Sequence, residues 1–461
     1  MIQKLMFALS ILSGACLFLA NAADSLETKT DSAVTAPAGK EQLVKRDSLG
    51  TTVSQEKHAD ATEVLGIKTK LVGMGSLEAG QVVKGEPRGG VNSLEKIWYQ
   101  RAYMHIGFNA VINERTKLSI IGESMVHYSW TESKDITDNL RPIYSFYPHD
   151  VEGTYSFGNI ERPYLTLGFG IFPFKYNPDV RNLGEYLYRT GTYPPTMSST
   201  FDFPLARLTG FKVSSTPIDS LHLCAMLTSE SEVIPLQDWG VSFLADYTIL
   251  KAFTFGTGIF WSHLISVNEY NTTPKTSTNL DADSAYYTFR GTKLMGRIVF
   301  DPKAFIPARI FGDNDLRLYS EVAAIGLKDY PPYYKELWRR VPIMVGFNVP
   351  AFKVLDVFSV ELEWYKWNYP NSYTANIWQN QVPQPDLPYN YDPQQYDPRQ
   401  NELKWSFYAK KRLGNFSLIG QVAFDHTRLE CNGFQNGGTY YGDAMHIHGD
   451  WAWMLKTQFD F

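Results

Sequence analysis

Beyond residue 22 the chain has no run of 18 uncharged apolar residues, so no segment of it reads as a membrane-crossing helix. Cysteine is scarce as well: there are 3 in 461 residues. Cys16 falls in the leader, and Cys224 and Cys431 alone cannot make a disulfide framework; they read as unpaired. Neither sign of charge dominates, with 43 Lys and Arg against 48 Asp and Glu and a net charge of −5. That excludes the basic surface a nucleic-acid binder needs. Catalytic signatures are missing: there is no His-Glu-x-x-His, no Gly-x-Ser-x-Gly and no phosphate loop. The glycine pairs Gly73/Gly75, Gly168/Gly170 and Gly256/Gly258 lack the third glycine of a nucleotide site and read as small residues packing in a sheet. Ser124 and His127 have odd spacing, which puts them on opposite faces of one strand. His446 and His448, flanked by Asp443 and Asp450, share a strand face but read as polar rim residues. An enzyme, a cofactor and a metal site are therefore not expected.

Aromatic residues are plentiful, at 28 Tyr, 28 Phe and 11 Trp, yet the mean hydropathy is only −0.25. Abundant rings with low mean hydropathy suit strands that are apolar on one face and polar on the other. The last eleven residues show the pattern best. Trp451, Trp453, Leu455, Thr457, Phe459 and Phe461 alternate with Ala452, Met454, Lys456, Gln458 and Asp460. A strand of that length can cross a bilayer, which takes about 9–11 tilted residues. With no crossing helix, only a closed barrel leaves no backbone group unpaired in lipid.

Residues 1–22 read as a cleavable signal, with Lys4 before the apolar Leu5–Leu19 and a small-x-small site at Ala20-Asn21-Ala22. Residues 23–66 contain no aromatic residue and little apolar surface, so they are expected to be a disordered leader. From residue 67 the chain reads as an all-β, antiparallel transmembrane barrel. The expected strands are Lys70–Val83, Trp98–Ile112, Lys117–Trp130, Val151–Ile160, Tyr164–Phe174, Ala206–Ser215, Leu221–Thr228, Trp239–Thr248 and Ala252–Ile265. They continue with Tyr286–Phe300, Leu316–Leu327, Val341–Val349, Val357–Tyr369, Leu403–Leu413, Phe416–Thr427 and Trp451–Phe461. That gives about 16 strands, within a range of 14–18, joined alternately by short turns and long loops.

The closing strand with its terminal Phe461 resembles that of bacterial outer-membrane barrels, in which a C-terminal aromatic is part of the signal read by the barrel-assembly machinery. Leu167–Phe174, the long segment 175–204 and Ala206–Lys212 are similar to the corresponding region of phosphate-selective porins. No run of Arg or Lys stands at the positions phosphate selectivity needs, so that property is not carried over. The resemblance implies an outer-membrane, porin-like channel for small hydrophilic solutes, surrounded by lipid, narrowed by loop 175–204, with a homotrimer as one arrangement. Arg181, Glu185 and Arg189 of the loop, facing Arg101, Lys293, Arg297, Glu361 and Glu363 of the wall, would line the narrow part. Trp98, Trp130, Trp239, Trp261, Trp364, Trp405, Trp451 and Trp453 would anchor the barrel at the membrane interface. A surface-binding barrel, contacting polysaccharide through loops 370–402 and 428–449, is the alternative.

Overall fold

The computed structural model describes residues 67–84, 98–130, 143–160, 162–189, 206–229, 238–265, 290–306, 309–329, 336–366, 403–424 and 451–461, with short pieces at 62–64, 275–276, 286–287, 334, 431–432 and 439–440. The leader, most of residues 23–66, the loops 370–402 and 428–449 apart from two short pieces, His446, His448 and the side chain of Trp130 lie outside that set.

Sixteen strands run in chain order: β1 Ile67–Lys84, β2 Trp98–Val111, β3 Thr116–Trp130, β4 Ile143–Gly158, β5 Pro163–Phe174, β6 Ala206–Ile218, β7 Leu221–Ser229 and β8 Trp239–Ile249. The other eight are β9 Phe253–Ile265, β10 Gly291–Phe300, β11 Leu318–Ile325, β12 Ile343–Asn348, β13 Val357–Trp364, β14 Leu403–Leu413, β15 Phe416–Phe424 and β16 Trp451–Asp460. Each pairs antiparallel with the next, and β16 pairs back onto β1, so the sheet closes without an edge. At the seam Gly73 and Phe461 exchange two backbone hydrogen bonds of 2.9 Å. A short strand, Thr62–Val64, folds back along the start of β1.

Period two sorts the side chains into an outside and an inside. Outward positions are apolar and exposed: Ile343, Val345 and Phe347 on β12, Leu294 and Ile298 on β10, Leu455 and Phe459 on β16. So much exposed apolar surface has no place in water and fits acyl chains. Inward positions are buried and often charged, among them Lys293 and Arg297 on β10, Glu361 and Glu363 on β13 and Lys404 on β14. The inner wall is not polar all round, however. From β5 to β12 it carries Phe172, Leu208, Met226, Leu244, Phe260, Met295, Val299 and Met344, an apolar cluster completed by residues of the segment after β5.

Two strand bounds differ from the sequence reading in an instructive way. β4 starts at Ile143 rather than Val151. Tyr144, Phe146 and Pro148 are outward and exposed, and so is Val151; the change of parity is absorbed by a bulge where Asp150 faces Ile121 and Pro148 faces Gly122. Strict alternation cannot be followed through an extra residue. β10 starts at Gly291, because Tyr286–Tyr287 pair instead with Lys275–Thr276 in a separate small hairpin.

Candidate functional site

The chain leaves β5 at Phe174 and continues as Lys175–Arg189, a stretch of turns with no strand. Its partners lie on β8, β10, β11 and β13. In a ring of sixteen strands β13 stands opposite β5, so this stretch crosses the bore. Two kinds of interaction place it there. Val180, Leu183 and Leu187 are fully buried against the apolar inner wall; burying such a side chain contributes about 1.5–3 kcal/mol. Gly258 of β9 makes room for Leu187, since a Cβ there would lie 3.1 Å from Leu187 Cδ2 and 2.8 Å from Leu244 Cδ2.

The second kind is polar. Three wall carboxylates accept hydrogen bonds from the segment, many from its backbone. Glu361 Oε1 accepts from the Arg181 amide at 2.5 Å, and its Oε2 accepts from the amides of Asn182 and Leu183, both at 2.8 Å. Tyr319 of β11 donates to Glu361 Oε1 at 2.8 Å, which fixes the carboxylate. Glu321 takes the Tyr176 hydroxyl at 2.8 Å, the Asn177 side-chain amide at 2.5 Å and the Glu185 amide at 2.7 Å. Glu363 Oε2 takes the Tyr186 hydroxyl at 2.8 Å and the Arg189 guanidinium at 3.2 Å. Nearer the short-turn end, Asp179 pairs with Arg317 at 2.7 Å; nearer the long-loop end, Tyr188 donates to Ser242 at 2.5 Å and Lys293 to the Arg189 carbonyl at 3.3 Å. Buried backbone N–H groups outside regular structure must find acceptors, and charged acceptors make the stronger bonds.

The sharpest bend is at Gly184 and Glu185, with φ of 88° and 54°. A Cβ on Gly184 would meet Met344 Cε at 2.8 Å and Glu321 Oε2 at 2.9 Å, so the position needs glycine for both space and φ. Glu185 holds the same left-handed region with a side chain, and its Oε1 accepts the Asn177 amide at 2.7 Å. Burial, then the nearby Glu321, pushes the Glu185 carboxyl well above the ordinary carboxylate range. Burial pushes the Lys175 ammonium down to about 8, with Arg181 adding to the effect. Asp179 goes the other way: burial would raise it, but Arg317 and Arg181 outweigh burial and hold it low.

Of the residues singled out from the sequence, Arg181, Glu185, Arg189, Glu361, Glu363 and Lys293 meet in this one constellation. Arg297 lies beside it, bonded to Asp246 at 2.8 Å. Arg101 belongs to the facing wall, where it pairs with Glu78 at 3.0 Å on the neighbouring strand. Tyr176, Asn177, Tyr186, Tyr319 and Glu321 were not foreseen as a set. Glu321 has the same inward parity as Glu361, but nothing in its local sequence says which loop will reach it.

The facing wall, from β1 to β6, holds its charges differently. Ion pairs there join strands of the wall itself: Glu78 with Arg101, Glu152 with Lys212 at 2.8 Å, and Glu123 with both Arg207 at 3.0 Å and His105 at 2.8 Å.

No family model matches the chain, and no curated protein matches it. Solved structures do. Two engineered variants of the Rh. blastica porin align with TM-scores of 0.40 and 0.41 at 10% identity, over 85% of this chain and 100% of theirs. A triple mutant of the Rhodopseudomonas blastica porin aligns with a TM-score of 0.39, again at 10% identity and the same coverage. At that level the likeness carries no argument, and the class rests on the molecule itself. A closed ring of sixteen antiparallel strands, apolar outside and charged inside, is a porin-like β-barrel.

Proposed function

We infer that this barrel is an outer-membrane channel through which small hydrophilic solutes diffuse, and that segment 175–204 narrows its bore. One observation carries the reading: Lys175–Arg189 crosses the lumen and is bonded to the opposite wall through Glu321, Glu361 and Glu363. Sixteen strands enclose more space than wall side chains fill, so a segment lying across the bore sets the free cross-section. Rings of charge govern selectivity only where a pore narrows. Here Arg181, Arg189 and Lys293 stand among three wall carboxylates, so the loop side is charge-balanced, and the path for solute runs along the facing wall past Arg101, Lys212 and Lys456.

The eight tryptophans support the orientation. All fall in the strand halves next to the long connections: Trp98, Trp239 and Trp451 begin their strands, and Trp130 and Trp364 end theirs. Trp98 packs edge-on against Trp453 at 5.7 Å, and Trp261 against Phe243 at 5.9 Å. Such a belt marks one membrane interface, with the long loops beyond it. Phe461, bonded into the seam, would serve as the assembly signal.

Planar-bilayer recording tests the reading. Purified barrel should conduct, and removal of residues 176–204 should raise the single-channel conductance. A protein that passes no current in either form is not a channel.

A further inference from the structure

On the facing wall three neighbouring strands bring two imidazoles and a carboxylate together. His105 of β2, Glu123 of β3 and His149 of β4 all face inward, and their ligand atoms lie within 4.8 Å of one another. His105 Nε2 is 2.8 Å and His149 Nδ1 3.3 Å from the same oxygen, Glu123 Oε2. The two rings stack with centroids 3.8 Å apart. The bulge in β4 is what delivers His149. Pro148 faces outward and Val151 does too, so the extra residue between them lets His149 and Asp150 both turn in.

The geometry points to a divalent transition-metal site in the lumen wall, with His105, Glu123 and His149 as ligands and water in the open position. Two imidazoles and a carboxylate suit Zn²⁺ and its neighbours rather than Mg²⁺ or Ca²⁺. In a tetrahedral site with bonds of about 2.05 Å, ligand atoms stand about 3.3 Å apart. The His149–Glu123 separation already matches, and His105 has to withdraw by about half an ångström. Each ring must then hold its proton on the nitrogen turned away from the metal. Access comes from the lumen, because the His149 side chain keeps 14% of its surface exposed.

Arg207 is the built-in competitor. Its guanidinium takes the same oxygen, Glu123 Oε2, at 3.0 Å. A cation on that oxygen would stand beside the guanidinium and repel it, so binding favours release of the arginine. The Tyr147 ring, 5.9 Å from its guanidinium carbon, offers a second resting place. Arg207 is the second residue of β6, where the chain returns from segment 175–204. Metal occupancy therefore adds positive charge to the open wall and shifts a residue at the root of that segment.

The test uses untagged, folded barrel in detergent, with His446 and His448 replaced by Asn to remove the other histidine pair. Zn²⁺ titration by calorimetry should show one saturable site. H105N and H149N should weaken it at least tenfold, H222N should leave it unchanged, and R207Q should tighten it because the competitor is gone. Heat-modifiable gel mobility checks that each variant is folded. No saturable Zn²⁺ binding by the parent barrel, or binding by H105N and H149N as tight as the parent's, overturns the proposal. None of these readouts depends on whether the barrel conducts.

Discussion

The two halves of the inner wall use the same residue types for different ends. On β1 to β6 three inward carboxylates each face a cation on a strand nearby: Glu78 has Arg101, Glu123 has Arg207 and Glu152 has Lys212. On β11 and β13 the carboxylates Glu321 and Glu361 take backbone amides of a segment that has crossed the bore. The first arrangement satisfies the charges within the wall itself. The second ties down a plug of apolar side chains. A buried charge needs compensation, but the compensating group decides whether the surface stays open.

The largest effect should come from cutting the tie. E361A removes the acceptor of three backbone amides, of which the buried two, Asn182 and Leu183, each cost about 1–3 kcal/mol when left unpaired. The loop should come loose, with higher and noisier single-channel conductance and earlier cleavage by added protease at segment 175–189. An equivalent change on the facing wall, E152A, should leave loop protection as it was.

Next is pH. The Glu185 carboxyl is raised by burial and by Glu321, so the folded state binds its proton more tightly than the unfolded chain does. Its contribution to stability is complete below the unfolded value of about 4.3 and is lost as pH rises through the folded value. E185Q keeps an acceptor for the Asn177 amide, so it should stabilise loop docking at neutral pH and flatten that loss. Lys175, lowered to about 8, opposes docking below that pH, and its penalty is relieved as pH climbs towards about 10.4. K175M should remove the alkaline gain; proteolysis rates across pH measure both variants.

Smaller again is Y319F. The hydroxyl donates to Glu361 and bonds with Ser359 at 2.6 Å, so its loss should lower the urea midpoint by the equivalent of about 1.5–3 kcal/mol. The smallest effect lies outside the lumen. Trp98 and Trp453 should show a coupling of about 0.5–1.5 kcal/mol in a double-mutant cycle of alanine substitutions, with conductance unchanged.

Much of the barrel was legible because each strand states its own two faces. Trp451–Phe461 and Phe416–Phe424 give their orientation residue by residue, and the alternation of short and long connections gives the up-and-down order. His149 was not legible, because a bulge shifts parity and hides both the true start of β4 and the histidine it turns inward. The partners of Glu321, Glu361 and Glu363 were not legible either. Inward parity showed that they face the lumen, but their bonds go to residues more than 130 positions away in the chain.

By itself, then, the sequence determined the closed sheet, its strand order and which side of each strand meets lipid, because period two is a local property and a bilayer leaves no other way to satisfy the backbone. Only the tertiary structure decided that Lys175–Arg189 lies across the bore and that His105, Glu123 and His149 converge. Those contacts join strands brought together by closure and a segment without periodicity, and their energy comes from burial and hydrogen bonding between partners no local pattern pairs.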